Sequence, residues 1–188
     1  MERDNPVMPS TDLPLTVSSS ALLDTGAEGS SDARFRQMIY DLLHLDAEIG
    51  EARDRLGAAL GISGPAYAIL MTIARVDEPA DQPLGIRVRD VAERLHVSGA
   101  FVTAESNKLL RDGLVCKARD PDDGRAVRLR LSAQGHRRIL DLAPQIRAVN
   151  DHFFGELTRE EFEILSKVAA RAGRKSAAAF FDAFLPAA

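Results

Sequence analysis

Four arginines, Arg119, Arg125, Arg128 and Arg130, crowd around a turn that reads Asp-Pro-Asp-Asp-Gly, and the strand after it alternates charge with aliphatic side chains. Guanidinium groups in this pattern suit capture of phosphates or carboxylates rather than turnover of a substrate. Asp123 is placed to hold the Arg125 guanidinium in one orientation, while Asp120 and Asp122 shape the turn. A second set lies just upstream. On a 3.6-residue period Ala100, Thr103, Ala104, Asn107 and Arg111 share one helix face, opposite Val102, Ser106 and Leu109. Small residues there let a helix sit deep in a groove, and Thr103 and Asn107 can meet base edges, Asn107 suiting adenine. The backbone N–H groups of Ser98, Gly99 and Ala100 point at a phosphate.

These residues need a scaffold, and composition bounds it. The chain has 188 residues, 45% of them hydrophobic, enough for one well-packed domain. Its net charge of −4 hides a segregation: residues 87–138 hold 12 Lys and Arg against 7 Asp and Glu, on an otherwise acidic chain. A local basic patch is the footprint of a protein that meets a polyanion. No apolar run approaches membrane-spanning length and no signal-peptide pattern opens the chain, so a cytoplasmic location without a membrane partner is expected. The lone Cys116 reads as a half-buried strand residue and excludes an internal disulfide.

The periodicities predict a mainly α protein in the order α-α-α-α-β-β-α-α, with two strands. Residues 1–31, rich in Ser, Thr, Pro and Gly, read as a disordered tail. A long amphipathic helix runs from Asp32 to about Leu60, with Gly57 and Gly61 marking its fraying end. The next opens at an N-capping Ser63 with Pro65 in its first turn and buries Ala66, Ile69, Leu70 and Ile73. Two short helices follow, over 87–97 and from the N-capping Ser98 to Gly113, with a helix-turn-helix spacing. The hairpin of LVCKAR and AVRLRL places Val127, Leu129 and Leu131 on one face and Arg128 and Arg130 on the other. It is too small to stand alone and must lean on the helix pair as a wing. Ser132 caps a helix to about Gly155 that contains Pro144. A last helix runs from Thr158, with a capping box to Glu161, to about Leu185. The long helices leave apolar stripes that a two-fold dimer would bury, and Phe180, Phe181, Phe184 and Leu185 fit that use.

The runs VSGAFVTAESNKLLRDGLV and RDPDDGRAVRLRLSAQG resemble the winged helix of the MarR (multiple-antibiotic-resistance regulator) family, including its Asp-x-Arg wing and its Leu-Ser/Thr-x-x-Gly motif. The likeness covers roughly 31–188. It implies a winged helix-turn-helix lobe over about 62–135, flanked by dimerisation helices over about 32–60 and 136–186. It further implies a homodimeric transcriptional regulator of a pseudo-palindromic DNA operator, a repressor released by a small-molecule effector. By this resemblance Asp123 and Arg125 form the wing pair and Ala100, Thr103 and Asn107 lie on the reading helix; Ser98, Gly99 and Lys108 are expected as further DNA contacts, and Arg119, Arg128 and Arg130 as phosphate contacts. The effector pocket falls between the first, second and fifth helices, where Tyr40, His44, Tyr67 and Met71 are the expected wall residues. An aromatic acid or its CoA thioester is the ligand that the family suggests. Ala104 stands where many members carry Arg, and Glu105 with Ser106 replaces an apolar pair.

Two other classes were weighed. A metal-responsive regulator would use His152 with Glu156, His136 and His44, but these lack ligand spacing, so no metal and no cofactor is expected. An enzyme would need a phosphate loop, a nucleophile elbow or paired carboxylates, and none is legible; no catalytic residue is expected.

Overall fold

The fold is seen in a computed structural model that describes residues 14–26, 29–76, 85–121, 123–124 and 126–173. After a 3-10 turn at Ser20–Leu22, β1 (Asp24–Gly26) pairs antiparallel with β2 (Gly29–Ser31). Then come α1 (Ala33–Ala59), α2 (Gly64–Val76), β3 (Ile86–Arg87), α3 (Val88–Leu95) and α4 (Gly99–Arg111). The hairpin β4 (Val115–Arg119) and β5 (Val127–Leu131) leads into α5 (Ala133–Phe154) and α6 (Arg159–Ala172). No single helix among the described residues is long and apolar enough to cross a membrane.

The core lies where the helical periods meet. Ile69, Leu70 and Ile73 of α2, Val91 of α3, Val102 and Leu109 of α4 and Leu129 of β5 are all fully buried. Gathering these aliphatic side chains removes about 2 kcal/mol worth of apolar surface from water per residue, the main drive for the lobe to close. Capping sets the boundaries. The hydroxyls of Ser98, Ser132 and Thr158 accept from backbone N–H groups of Phe101, Gly135 and Glu161, and Ser63 accepts from Ala66. The expected capping box between Thr158 and Glu161 is complete. Gly113, at φ 70°, ends α4 with the left-handed turn that a residue bearing Cβ resists.

Four features differ from the sequence reading. The sheet has three strands in the order β3-β5-β4, because Ile86 and Arg87 pair with Leu129 and Arg128 before α3 begins. A two-residue strand carries no period, so the pattern concealed it. Within the segment expected to be a structureless tail, the described residues form the 3-10 turn and the β1–β2 ladder. Polar contacts tie that segment to α1: Asp32 accepts from the Thr16 N–H at 2.5 Å and its hydroxyl at 2.6 Å, and pairs with Arg36. The Thr16 hydroxyl and N–H, with Arg36, hold the Asp32 carboxyl below the usual carboxylate range. Gly57, expected at a frayed end, is buried within α1 against the backbone of Ile62 and Ser63. α6 ends at Ala172; Phe180, Phe181, Phe184 and Leu185 lie outside the described residues.

Candidate nucleic-acid interface

α4 presents the two faces that its period predicts. Val102, Ser106 and Leu109 have no exposed surface, whereas Ala100, Thr103, Ala104, Asn107 and Arg111 are exposed. Ser98, Gly99 and Ala100 are exposed at the helix N-terminus, the end that carries partial positive charge. Glu105, an acid on the inner side, is 7% exposed. Its two oxygens accept from Lys108 Nζ at 2.6 Å and from Ser63 Oγ at 3.3 Å, so it fastens α4 to the start of α2. Lys108, expected to meet DNA, is thus shared with Glu105, its side chain half exposed.

The two polar groups expected to read bases are both engaged. Thr103 donates its hydroxyl proton to the Gly99 carbonyl at 2.8 Å, leaving oxygen lone pairs and a methyl outward. Asn107 Oδ1 accepts from Lys117 Nζ, on β4, at 2.6 Å. Lys117 is a site residue that sequence reasoning missed. Its only signal was the alternation of β4, which puts it beside the recognition face once the sheet is docked.

The wing rests on a buried carboxylate. Asp120 follows β4 and its side chain has no exposed surface. Its Oδ2 accepts from Arg87 Nε and Arg128 Nε, each at 2.6 Å, and its Oδ1 accepts from the Asp123 N–H at 3.1 Å. Arg87 and Arg128 are register partners across β3 and β5, and two like charges facing each other repel unless something neutralises them. Asp120 does so, and holds the Arg87 guanidinium above its already high range. Arg128 also donates to the Gly85 carbonyl at 2.8 Å and is only 14% exposed. The unforeseen third strand thus engages Arg128, expected to contact phosphate, in a structural ion pair. Asp120 does shape the turn as expected, and carries the clamp besides. Arg119, Asp123 and Arg130 are exposed; Asp122 and Arg125 lie outside the described residues. Between wing and α4 runs a groove of about 350 Å3, walled by Thr103, Lys117, Arg89, Asp123 and Val127. Arg89 is 78% exposed there.

A helix pair, a docked wing and a cationic groove between them define the site, and comparison with known proteins agrees. The model of the MarR family matches residues 60–126, from the end of α1 to the wing turn. Over that stretch the chain is similar to the MarR family. The chain is 26% identical over 151 residues to the uncharacterized HTH-type transcriptional regulator YdgJ of Bacillus subtilis, covering 78% of this chain and 86% of that one. It is also similar to the PcaV transcriptional regulator from Streptomyces coelicolor, solved with its natural ligand: 29% identity, TM-score 0.52, 69% of this chain and 89% of that one. The fold matches that of CouR from Rhodococcus jostii RHA1, solved bound to p-coumaroyl-CoA, with TM-score 0.65 at 18% identity over 78% and 99% of the chains. The lobe has the winged-helix fold seen in these transcriptional regulators.

As in the MarR-family expectation, a cavity opens between α1, α2 and α5, but mostly different residues wall it. It measures about 250 Å3 and is lined by Ile49, Arg53, Tyr67, Ile146, Asn150 and Phe153 among others. A neighbouring cavity of about 620 Å3 between α1 and α5 includes Glu48, Arg55, Gln145 and His152. Both share Ala52, Leu56, Val149 and Phe153. Of the four predicted wall residues only Tyr67 lines either; burial pushes its hydroxyl pKa up. Tyr40, 66% exposed, and His44 sit on outward parts of α1, and Met71 packs against the core instead. The resemblance pointed to these three helices, but only the crossing of α1 over α5 decides which of their residues face the gap. Among the described residues no three His, Cys, Asp or Glu side chains group to hold a metal ion.

Proposed function

We propose that the protein is a cytoplasmic homodimer that represses transcription from a pseudo-palindromic operator and leaves it when a small acid binds between α1, α2 and α5. In this reading residues 62–135 form the DNA-binding lobe and α1, α5 and α6 the dimerisation part. The observation that carries it is the exposed face of α4, with Thr103 and Asn107, lying beside a wing whose Arg119 and Arg130 are exposed. Thr103, Asn107, Ala100 and the helix N-terminus at Ser98 and Gly99 meet the major groove. Arg119 and Arg89 meet phosphates, and Arg125 with Asp123 reaches the adjacent minor groove. Dimerisation is supported by large apolar side chains left exposed: Leu42 and Leu43 of α1, and Phe162, Ile164, Leu165 and Val168 of α6. A monomer rarely leaves so much apolar surface in water.

The effector reading rests on the cavity's chemistry. Apolar walls with Arg53 and Asn150 suit a flat acid whose carboxylate meets the guanidinium. The smaller cavity has room for an aromatic acid; a CoA thioester would place its acyl group there and extend through the larger one. CouR, solved bound to p-coumaroyl-CoA, is a precedent for such an occupant, and PcaV was solved with its natural ligand. A gel-shift titration on duplexes from the upstream region of the protein's own gene, repeated with aromatic acids and their CoA thioesters, tests the whole reading. Retarded DNA released by one such compound is the expected result. Binding that no acid or thioester reverses would remove the effector, and a monomeric mass in solution would remove the dimer.

A further inference from the structure

We propose that Lys117 and Asn107 form one reading unit that selects a guanine in the major groove. The inference deepens the assignment of α4 as the reading helix and rests on it. Asparagine alone matches adenine, because its oxygen accepts from N6 while its amide nitrogen donates to N7. Here a cation already sits on that oxygen: Lys117 Nζ donates to Asn107 Oδ1 at 2.6 Å, which engages one lone pair and disfavours a second donor beside it. What the pair then offers a base is mainly donors, the Asn107 amide N–H and the remaining ammonium N–H groups. Guanine displays two acceptors there, O6 and N7, whereas adenine displays one acceptor and a donor. An ammonium against the adenine amino group is repulsive, and against guanine O6 it is attractive.

Three further observations support the pairing. Both residues are exposed on the side of the lobe where Thr103 and Lys117 share the groove beside the wing. Lys117 stands in mid-strand on β4, opposite Leu129, whose side chain is fully buried, so its backbone is rigidly placed. Finally, Thr103 spends its proton on the Gly99 carbonyl, so it adds no competing donor and leaves the donor work to the neighbouring pair.

The test is selection of binding sites from random duplexes by the full-length protein, followed by titration of the selected site. A guanine should appear at one position of each half-site, and 7-deazaguanine there, which lacks only the N7 acceptor, should weaken binding about tenfold. Lys117→Met should lose that sensitivity and accept adenine within about threefold of guanine, because Asn107 is then free to pair as asparagine does. Lys117→Arg should keep the guanine preference, and circular dichroism of both variants should match the wild type. An unchanged preference and 7-deazaguanine sensitivity in Lys117→Met overturns the inference, as does a wild type indifferent to 7-deazaguanine at every guanine. A wild type that binds no duplex at low salt fails at the earlier step instead, removing the DNA-reading role of α4 itself.

Discussion

Arg128 and Arg119 stand on the same ribbon and should respond to alanine in opposite ways. Arg128 shares a buried carboxylate and a backbone carbonyl, so Arg128→Ala should cost about 2 kcal/mol of folding stability, measured by urea unfolding. Arg119 is exposed, so Arg119→Ala should leave stability within about 0.5 kcal/mol of wild type. Its effect belongs to DNA: the slope of log affinity against log salt should shrink by about one. Arg125→Ala should weaken operator binding by about 1–3 kcal/mol in a gel-shift titration. The two neighbours of like charge are thus separated by what lies behind them, not by their type. Glu105 makes the same point. On the helical period it occupies an inward position unsuited to an acid, and it is satisfied because Ser63 and Lys108 reach it.

The wing is the element whose position matters most, and two contacts set it. Asp120 gathers Arg87 from β3, Arg128 from β5 and the turn N–H of Asp123, so the hairpin cannot tilt without breaking a buried ion pair. Removing that carboxylate strands two partly buried guanidiniums beside each other. Asp120→Ala should lower stability by about 3 kcal/mol or more, with a proportionate drop in the unfolding midpoint. At the other end of the hairpin, Gly135 in the first turn of α5 faces the Leu114 carbonyl. A Cβ there would lie 2.0 Å from the oxygen, with backbone on the other side that has no freedom to yield. This gives the Leu-Ser-x-x-Gly run a physical reason: the serine caps α5 and the glycine lets α5 abut the strand entrance. Gly135→Ala should cost about 1–3 kcal/mol, read as a lowered Tm.

For the molecule as a whole, acid should loosen the periphery before the core. Hydrogen bonds from the Thr158 N–H and hydroxyl hold the Glu161 carboxyl below the usual range, as Thr16 does for Asp32. A depressed value in the folded state means that the unfolded chain takes up its proton first as pH falls. The stability is therefore complete above the ordinary carboxylate range and is lost as pH drops through the lower folded values. Between about pH 5 and about pH 3 the wild type should lose more Tm than Glu161→Gln, which has no carboxyl to protonate there. Equal acid sensitivity of the two would show that the box does not contribute. The apolar residues exposed along α1 and α6 set a second expectation at this scale, an unfolding midpoint that rises with protein concentration, as it must when folding and dimerisation are linked.

The amino-acid order alone determined the capped starts of α2, α4, α5 and α6, the inward triad of α4 and its small-residue outer face, because caps and periods act over three or four positions and need no tertiary partner. It also determined the winged-helix class, since the turn, the alternating strand and the glycine lie in one continuous run. Only the tertiary structure decided which arginine faces solvent, which helix residues wall the cavity and which donor occupies Asn107. Arg87 meets Asp120 across 33 positions and Ser63 meets Glu105 across 42, distances over which no local pattern carries information. A long polar side chain has several staggered positions open to it, and burial of an opposite charge within reach is what selects one.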